Sequence, residues 1–387
     1  MKKKIGILGS TGSIGKTTFS IIKKNRKDFD IIFLTTNKNV NAILKQAKEL
    51  NVKNIIIFSK KHYFKALKNK KNKNVKIFNN LKELKKIINN RLDYLMCAIT
   101  GLSGLKPTID CIKLTKKIAI ANKESIICAW NLIEKELLRY KTEFVPVDSE
   151  HFSIWSLIKN SKNHKIDKIL ITASGGPFLN LPINRFENIK PKDALKHPSW
   201  SMGKKISIDS ATMINKVFEI IEAKRMFKMD LKKFEILIHP KSYLHAIVKF
   251  ENGLTKMLIH DTNMTIPIFN SIYSNKSKKI YSKKINLNYL NNLKLSKPDK
   301  IKFPMLKILK KIPSKISLFE TVLITANDEL VEYFLNGQIS YLEIQQNLFK
   351  IINFKEFKKY FYKKPQNIDQ ITKVIKEARL KTRNLCV

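Results

Sequence analysis

The stretch Lys3-Lys-Ile-Gly-Ile-Leu-Gly-Ser-Thr-Gly-Ser-Ile-Gly15 decides how the first third of the chain folds. An apolar run at 3–8 leads straight into Gly9, Gly12 and Gly15, and a helical stripe through Phe19 and Ile22 follows. Strand, glycine turn and helix in that order form the setting for a dinucleotide, because glycine lets the backbone approach a pyrophosphate at a helix start. The spacing G-x-x-G-x-x-G is not the commonest form, so an ordinary tight βα turn stays open as the alternative. Further strands read at 30–36, 53–58, 93–99, 117–121 and 142–147, with helical stretches between them. This alternation predicts an α/β fold with a Rossmann-like, doubly wound parallel sheet.

Strand 30–36 ends in Asn37-Lys38-Asn39. An NAD enzyme usually places an acid about 20 residues beyond the glycines, for the ribose 2′-hydroxyl. No acid stands here, and Lys38 can meet a 2′-phosphate, so the pattern points to NADPH. Asn122-Lys123-Glu124 falls where a strand gives way to a helix, the usual place for ligand-facing residues, although a solvated helix start would look the same. Asp148-Ser149-Glu150 follows the next strand. Read as extended backbone, the two carboxylates point the same way and suit Mg²⁺ or Mn²⁺, with Glu219 as a third donor. The alternative is a helix start capped by Asp148 or Ser149.

A strand at 167–173 ends in Ser174-Gly175-Gly176-Pro177, a second turn suited to an anion. The stretch 197–219, HPSWSMGKKISIDSATMINKVFE, concentrates polar groups where a short strand gives way to a helix. His197 to Gly203 reads as a mobile cover over a pocket. Ile206 and Ile208 alternate as a short strand, Ser210 stands at a helix N-cap, and Met213, Val217, Ile220 and Ile221 keep a helical stripe. Asn215 and Glu219, four apart, share one side of that helix with Lys216 beside them. Such a helix start is a receptor for phosphate, and a capped, wet amphipathic helix is its bland counterpart. Strand 234–239 and a hairpin about Glu251-Asn252-Gly253 follow, and His239, His245 and His260 read as hydrogen-bonded structural histidines.

The chain has 387 residues, 75 Lys and Arg against 31 Asp and Glu, and a net charge of +44. Nearly all the positive charge is lysine spread along the chain, without clustered arginines or stacking aromatics, which argues against nucleic acid as a partner. Cys97, Cys111, Cys128 and Cys386 form no CxxC pair, which fits a reducing, cytoplasmic setting. Glycine and serine interrupt any signal-peptide core at the start, and no apolar run approaches the roughly 20 residues of a membrane span. Residues 68–74, KNKKNKN, read as a polar loop. Residues 274–300 read as a polar linker with one strand-like insert, and from 301 the apolar spacing becomes helical, as at Leu318, Val322, Leu330 and Phe334. These segments divide the chain into a nucleotide-binding domain at 1–147, a central α/β catalytic domain at 148–273, the linker, and a C-terminal helical domain at 301–387.

Taken together, GSTGSIG at 9–15, NKES at 122–125, VDSEH at 147–151, SGGPF at 174–178, the stretch at 197–219 and IHPKS at 238–242 resemble the 1-deoxy-D-xylulose 5-phosphate reductoisomerases. The resemblance runs in order to about residue 270 and is looser from about 300. It implies an NADPH- and metal-dependent rearrangement and reduction of 1-deoxy-D-xylulose 5-phosphate to 2-C-methyl-D-erythritol 4-phosphate, in isoprenoid precursor synthesis, by a homodimer. Carried over by position, Thr11, Gly12, Ser13, Ile14, Asn37, Lys38, Asn39, Asn122, Glu124 and Gly203 would line the NADPH site. Asp148, Glu150 and Glu219 would hold the metal. Lys123, Ser149, Glu150, Ser174, His197, Ser210, Asn215, Lys216 and Glu219 would hold the sugar phosphate, with Lys123, His197 and the three acids as the catalytic set. The loop around Trp200 and Met202 would close over substrate. The chain departs from the family pattern in two places. Asn37 stands for the usual glycine, and Thr262-Asn263-Met264-Thr265 replaces a Pro-Asp-Met-Arg run, losing an acid and an arginine where the local loop must pack.

Overall fold

The computed structural model describes residues 2–68, 74–159, 161, 164–200, 202–273, 278–284 and 286–386. Seven strands come first: β1 (Lys3–Leu8), β2 (Phe29–Thr36), β3 (Asn54–Ile57), β4 (Lys76–Phe78), β5 (Tyr94–Cys97), β6 (Lys117–Ile120) and β7 (Glu143–Pro146). They form one parallel sheet in the order β4-β3-β2-β1-β5-β6-β7. A parallel sheet is covered on both faces, so its strands read as near-continuous apolar runs. Ile5, Ile7, Leu34, Ile55 and Met96 are buried accordingly in one core. The strand order reverses between β1 and β5, which places the loops after both at the crevice where such sheets take ligands.

The sequence reading misses β4, a three-residue strand carrying Lys76, too short and polar to show a period. The polar stretch 68–74 lies, apart from its end residues, outside the described residues. The helix Thr265–Tyr273, which follows the departing Thr262–Thr265 run, is formed. Ile268, Phe269 and Ile272 join the core of the parallel sheet, Tyr94 and Ser271 share a hydrogen bond of 2.7 Å, and Lys3 Nζ donates to the Ile272 carbonyl.

Four more strands, β8 (Ile166–Ala173), β9 (Phe234–Ile238), β10 (Leu244–Phe250) and β11 (Thr255–Ile259), make a mixed sheet in the order β11-β10-β8-β9. Strands β10 and β11 form the hairpin expected about Glu251–Gly253, with Gly253 in the left-handed region at φ 87°. Ile169, Ile171, Ala246 and Val248 pack with Ile154 and Ile220 as its core. The terminal region is helical, at Phe319–Leu335, Tyr341–Ile352 and Ile368–Cys386. Ser340 and Glu343 close a capping box on the second of these, and Glu329 binds Arg379 and Arg383 of the third.

Two readings need correction. Residues 204–211, expected to contain a strand, form a helix, Lys204–Ala211, because apolar alternation over only three residues fits either structure. The strand-like insert of 274–300 shrinks to one antiparallel bridge, Ser296 with Ile238, beside a helical turn, Leu287–Leu290, whose Asn286 side chain accepts from the Tyr289 amide; residues 274–277 and 285 lie outside the described residues. By compactness the chain forms two units: Met1–Ser125, Ile133–Phe152 and Met264–Tyr281 in one, and Ile126–Leu132, Ser153–Asn263 and Ser282–Val387 in the other. These boundaries differ from a division along the chain, since the Thr265–Tyr273 helix packs with the parallel sheet and the terminal helices belong to the unit that holds the mixed sheet.

Candidate active site

In the first unit the glycine turn is shaped by crowding. Gly9 has φ 79°, and a Cβ there would meet the Ala98 carbonyl at 2.7 Å. A Cβ on Gly15 would run into the Gly9 carbonyl and the Ser10 backbone, so the helix Ser13–Lys24 can start only this close to the strand with glycine. The turn is pinned to the next strand: Gly9 N donates to Thr35 Oγ1 at 2.8 Å, and Thr11 and Thr36 hydroxyls lie 2.7 Å apart. Gly12 caps that helix without a side-chain bond, and Gly12 and Ser13 are exposed, which leaves amides at a helix start open to an anion. Asn37, Lys38 and Asn39 are exposed after β2, and Asn39 Oδ1 caps the next helix through Ala42 N at 3.2 Å.

Asn122 is buried and fully engaged. Its Oδ1 accepts from Ser125 N at 2.7 Å, and its Nδ2 donates to the carbonyls of Ile99 and Gly101, both at 2.7 Å. The side chain therefore latches the loop after β5 to the helix Lys123–Tyr140. Lys123 Nζ lies 3.1 Å from Asp148 Oδ2. Asp148 is not on an extended segment with Glu150. It caps the helix Ser149–Lys159, with Oδ1 accepting from Glu150 N at 3.2 Å and His151 N at 3.4 Å. The capping alternative is the one observed, and it leaves Oδ2 turned to Lys123. Ser149 Oγ donates to Glu150 Oε2.

In the second unit, Gly175 (φ 85°) and Gly176 (φ 69°) turn the chain after β8. A Cβ on Gly176 would stand 3.0 Å from the Ser210 carbonyl, so this turn packs on the end of the Lys204–Ala211 helix. Ser174 Oγ accepts from Gly176 N at 3.0 Å and lies 2.9 Å from His197 Nε2. His197 Nδ1 accepts from the amides of Ser199 (3.2 Å) and Trp200 (3.0 Å). Those two amides fix the tautomer: Nδ1 carries no proton, so Nε2–H donates to Ser174. With both lone pairs taken, the Ser174 hydroxyl hydrogen is left to donate to a ligand. Burial, and then the Lys216 charge, push His197 down to about 4, so it is neutral at physiological pH.

Ser210 lies in the last turn of the Lys204–Ala211 helix, not at the N-cap expected from sequence. The cap is Met213, a non-glycine residue at φ 63°, and the next helix runs Ile214–Phe227. A left-handed backbone of this kind costs on the order of 1–3 kcal/mol and survives only where its surroundings enforce it. Asn215 Nδ2 donates to Glu219 Oε1, and Lys216 Nζ donates to Glu219 Oε2 at 2.5 Å. Lys216 and Glu219 are buried, and Asn215 Oδ1 is buried with no hydrogen-bond partner among the described residues. Gly203 is exposed at the start of the Lys204–Ala211 helix; Ser201, in the loop before it, lies outside the described residues. Ser199 Oγ donates to the Pro240 carbonyl, and Trp200 lies edge-on to His245, which stacks on His260 with ring centroids 3.6 Å apart. His239, His245 and His260 all engage backbone carbonyls, as structural histidines do.

Sequence reasoning overlooked Asp209, Asn327 and Tyr341. Asp209 is 1% exposed and accepts from Asn327 Nδ2 at 2.8 Å, and Tyr341 OH donates to the Ala211 carbonyl at 2.7 Å. The one local signal was an acid inside the run Ile206-Ser-Ile-Asp-Ser-Ala211, since a buried acid needs a partner.

A glycine turn at the switch point of a parallel sheet is the class of site that receives a dinucleotide. Comparison with known proteins agrees. Three family descriptions match: 1-deoxy-D-xylulose 5-phosphate reductoisomerase over residues 5–130, its C-terminal domain over 144–227, and DXP reductoisomerase C-terminal domain over 260–381. The chain is 59% identical to the 1-deoxy-D-xylulose 5-phosphate reductoisomerase of Pelagibacter ubique over 387 residues, covering 100% of both, and 35% identical to that of Clostridium perfringens, covering 97% of this chain and 98% of the relative. Among solved structures, the reductoisomerase of Zymomonas mobilis in complex with NADPH superposes with a TM-score of 0.88 at 30% identity, covering 100% of this chain and 99% of that one. A DOX-P reductoisomerase in complex with NADPH, fosmidomycin and magnesium gives 0.92 at 30% identity, covering 99% and 98%. The chain belongs to the 1-deoxy-D-xylulose 5-phosphate reductoisomerase family.

The state of His197 sets a pH test. Its folded value lies below the ordinary 6.5, so the unfolded chain takes the proton first; the stability it contributes is intact above 6.5 and declines as pH falls from 6.5 towards about 4. Protonation at Nδ1 also removes the acceptor for the Ser199 and Trp200 amides. Trp200 fluorescence, taken as the difference between the parent and Trp200→Phe, is expected to stay flat from about pH 9 to 6.5 and to change only in the acid limb. A midpoint near neutrality contradicts this assignment.

Proposed function

We propose that the chain converts 1-deoxy-D-xylulose 5-phosphate to 2-C-methyl-D-erythritol 4-phosphate, using NADPH and a divalent cation, on the route to isoprenoid precursors. The observation that carries this reading is the pair of acids at one helix start, Asp148 and Glu150, beside the Lys123 ammonium, with Glu219 as the third donor that the family pattern adds. Hard oxygen donors without thiolate or imidazole suit Mg²⁺ or Mn²⁺. Asn215 supports the fit, because its orphaned Oδ1 is an acceptor in want of a cation or donor while its Nδ2 orients Glu219. A bound cation would supply Lewis acidity to the substrate's carbonyl and hydroxyl oxygens, and NADPH the hydride.

The chain's own residues bind and orient. Ser174, Ser210, Asn215 and Lys216 receive the phosphate, with the Ser174 hydroxyl directed by Gly176 N and by neutral His197. Lys123, Ser149 and Glu150 hold the sugar, and Lys123 places an ammonium beside Asp148. The Trp200 loop excludes water, and because its amides bond to His197 Nδ1, loop position and Ser174 orientation are coupled. Thr11 to Ile14 offer amides to the pyrophosphate; Asn37, Lys38 and Asn39 take the adenosine end; Asn122, Glu124 and Gly203 complete the cofactor lining. Among the described residues no helix is long and apolar enough to cross a membrane. Cytoplasmic residence and a homodimer complete the proposal, and β11, with Met257 half exposed on the outer edge of its sheet, offers a pairing surface.

Product analysis with deoxyxylulose phosphate, NADPH and Mn²⁺ tests the reaction. A branched polyol phosphate is expected, and an unbranched reduced sugar would identify a plain dehydrogenase instead. Asp148→Asn should remove most turnover while NADPH binding stays unchanged; full activity after chelator treatment would refute the metal assignment. Lys38→Ala should erode the preference for NADPH over NADH, since a charge-assisted hydrogen bond contributes about 1.5–3 kcal/mol, roughly ten- to a hundredfold. Equal kcat/KM for the two cofactors in the parent would show that Lys38 does not read the 2′-phosphate.

A further inference from the structure

We infer that Asp209, Asn327 and Tyr341 are positioning residues for the phosphate subsite, so that the terminal helices set the affinity for the substrate's phosphate without touching it. The inference rests on the phosphate reading of Ser210, Asn215 and Lys216 given above. Those three residues lie on either side of one joint, the left-handed Met213 between the helices Lys204–Ala211 and Ile214–Phe227. Met213 N donates to the Ser210 carbonyl at 3.1 Å and Lys216 N to the Met213 carbonyl at 3.2 Å, so the joint fixes Ser210 relative to Lys216. A non-glycine residue does not hold this conformation unaided.

The restraint on the upstream side comes from the terminal region. Asp209 Oδ1 accepts from Asn327 Nδ2 at 2.8 Å, and its Oδ2 takes Lys205 Nζ at 2.9 Å; Lys205 also bridges to Asp328 Oδ1 at 3.1 Å. Two residues on, the Ala211 carbonyl, left over at a helix end, accepts from Tyr341 OH at 2.7 Å. Tyr341 itself is buried among Phe178, Phe186 and Phe334. Two buried polar anchors therefore hold the last turn before Met213, and Phe178 ties the same anchor to the turn that carries Ser174. Both anchors join residues more than 100 positions apart in sequence, which makes them long-range restraints and not local caps.

The test compares Asn327→Ala, Asp209→Asn and the exchange Asp209→Asn with Asn327→Asp, which restores a donor and an acceptor with the charge moved across the bond. KM for deoxyxylulose phosphate and inhibition by inorganic phosphate are measured beside the NADPH dissociation constant, on variants shown to be folded by circular dichroism. Each single change is expected to weaken substrate and phosphate about tenfold together and leave NADPH within about twofold, and the exchange is expected to recover most of the loss. Tyr341→Phe, which removes only the hydroxyl, should weaken phosphate about threefold and keeps the test open if the buried acid variants do not fold. Equal losses of NADPH and phosphate, or an exchange that merely adds the two single losses, would make the pair a general stability element and overturn the proposal. Unchanged phosphate affinity in all variants would also overturn it. Lys216→Ala separates the two levels: if it weakens phosphate while the Asn327 and Tyr341 variants do not, the subsite stands and the positioning role fails. If Lys216→Ala is without effect as well, the phosphate reading itself is wrong.

Discussion

The buried pair Lys216–Glu219 is the interaction on which the second unit's polar helix start depends. It lies 8% and 2% exposed at the side chains, inside a helix buried from Ile214 to Arg225 except at Asn215. Desolvating two charges is unfavourable unless geometry and further hydrogen bonds offset it, and removing one partner leaves an uncompensated charge worth about 3–5 kcal/mol. Here one ammonium and one amide, three and four residues apart, converge on the two oxygens of a single carboxylate. Helical spacing alone makes that convergence possible. The helix start must therefore be aimed correctly, which returns the constraint to Met213 and to whatever holds it.

The first unit solves a similar problem with backbone. Its parallel strands end where amides are open, and the glycine turn brings those amides near a ligand by removing Cβ atoms that would meet Ala98 or Gly9. Charge is used sparingly: Lys38 is exposed, and Lys123 is committed to Asp148. On the proposed reading the two units meet anions by different means, one through amides at a helix start, the other through a directed hydroxyl, an amide and a buried ammonium. Neutral His197 belongs to the second means, since a charged imidazole beside Lys216 would be opposed by burial and by like charge.

Much of this was legible in sequence because it is local. Apolar runs such as Asn54–Ile57 and Tyr94–Cys97 declare buried parallel strands, and Gly9, Gly12 and Gly15 declare a turn with no room for side chains. Asn215 and Glu219 were read onto one helix side from their spacing, and their hydrogen bond has that geometry. The failures share a cause, which is that tertiary contacts override a short local pattern. Ile206 and Ile208 alternate like a strand, yet Ser207, Ile208, Asp209 and Ala211 are all buried, so the helix has no polar face by which its period could be seen. Asp148 and Glu150 left an extended and a capped reading open, and the cap is the one formed, since the same residue types suit either geometry. Asp209 with Asn327 is a pairing across 118 residues, and nothing local announces it.

The proposed metal site and the buried pair share one residue, Glu219, so its role is the most direct point of attack. Calorimetric titration of Mn²⁺ into the parent and into Glu219→Gln, each stripped by chelator and checked for folding, reads it without any turnover. The expected result is saturable binding to the parent, weakened at least about tenfold in the variant, with NADPH affinity the same in both. Equal Mn²⁺ affinity in parent and variant would contradict a metal site built on Glu219.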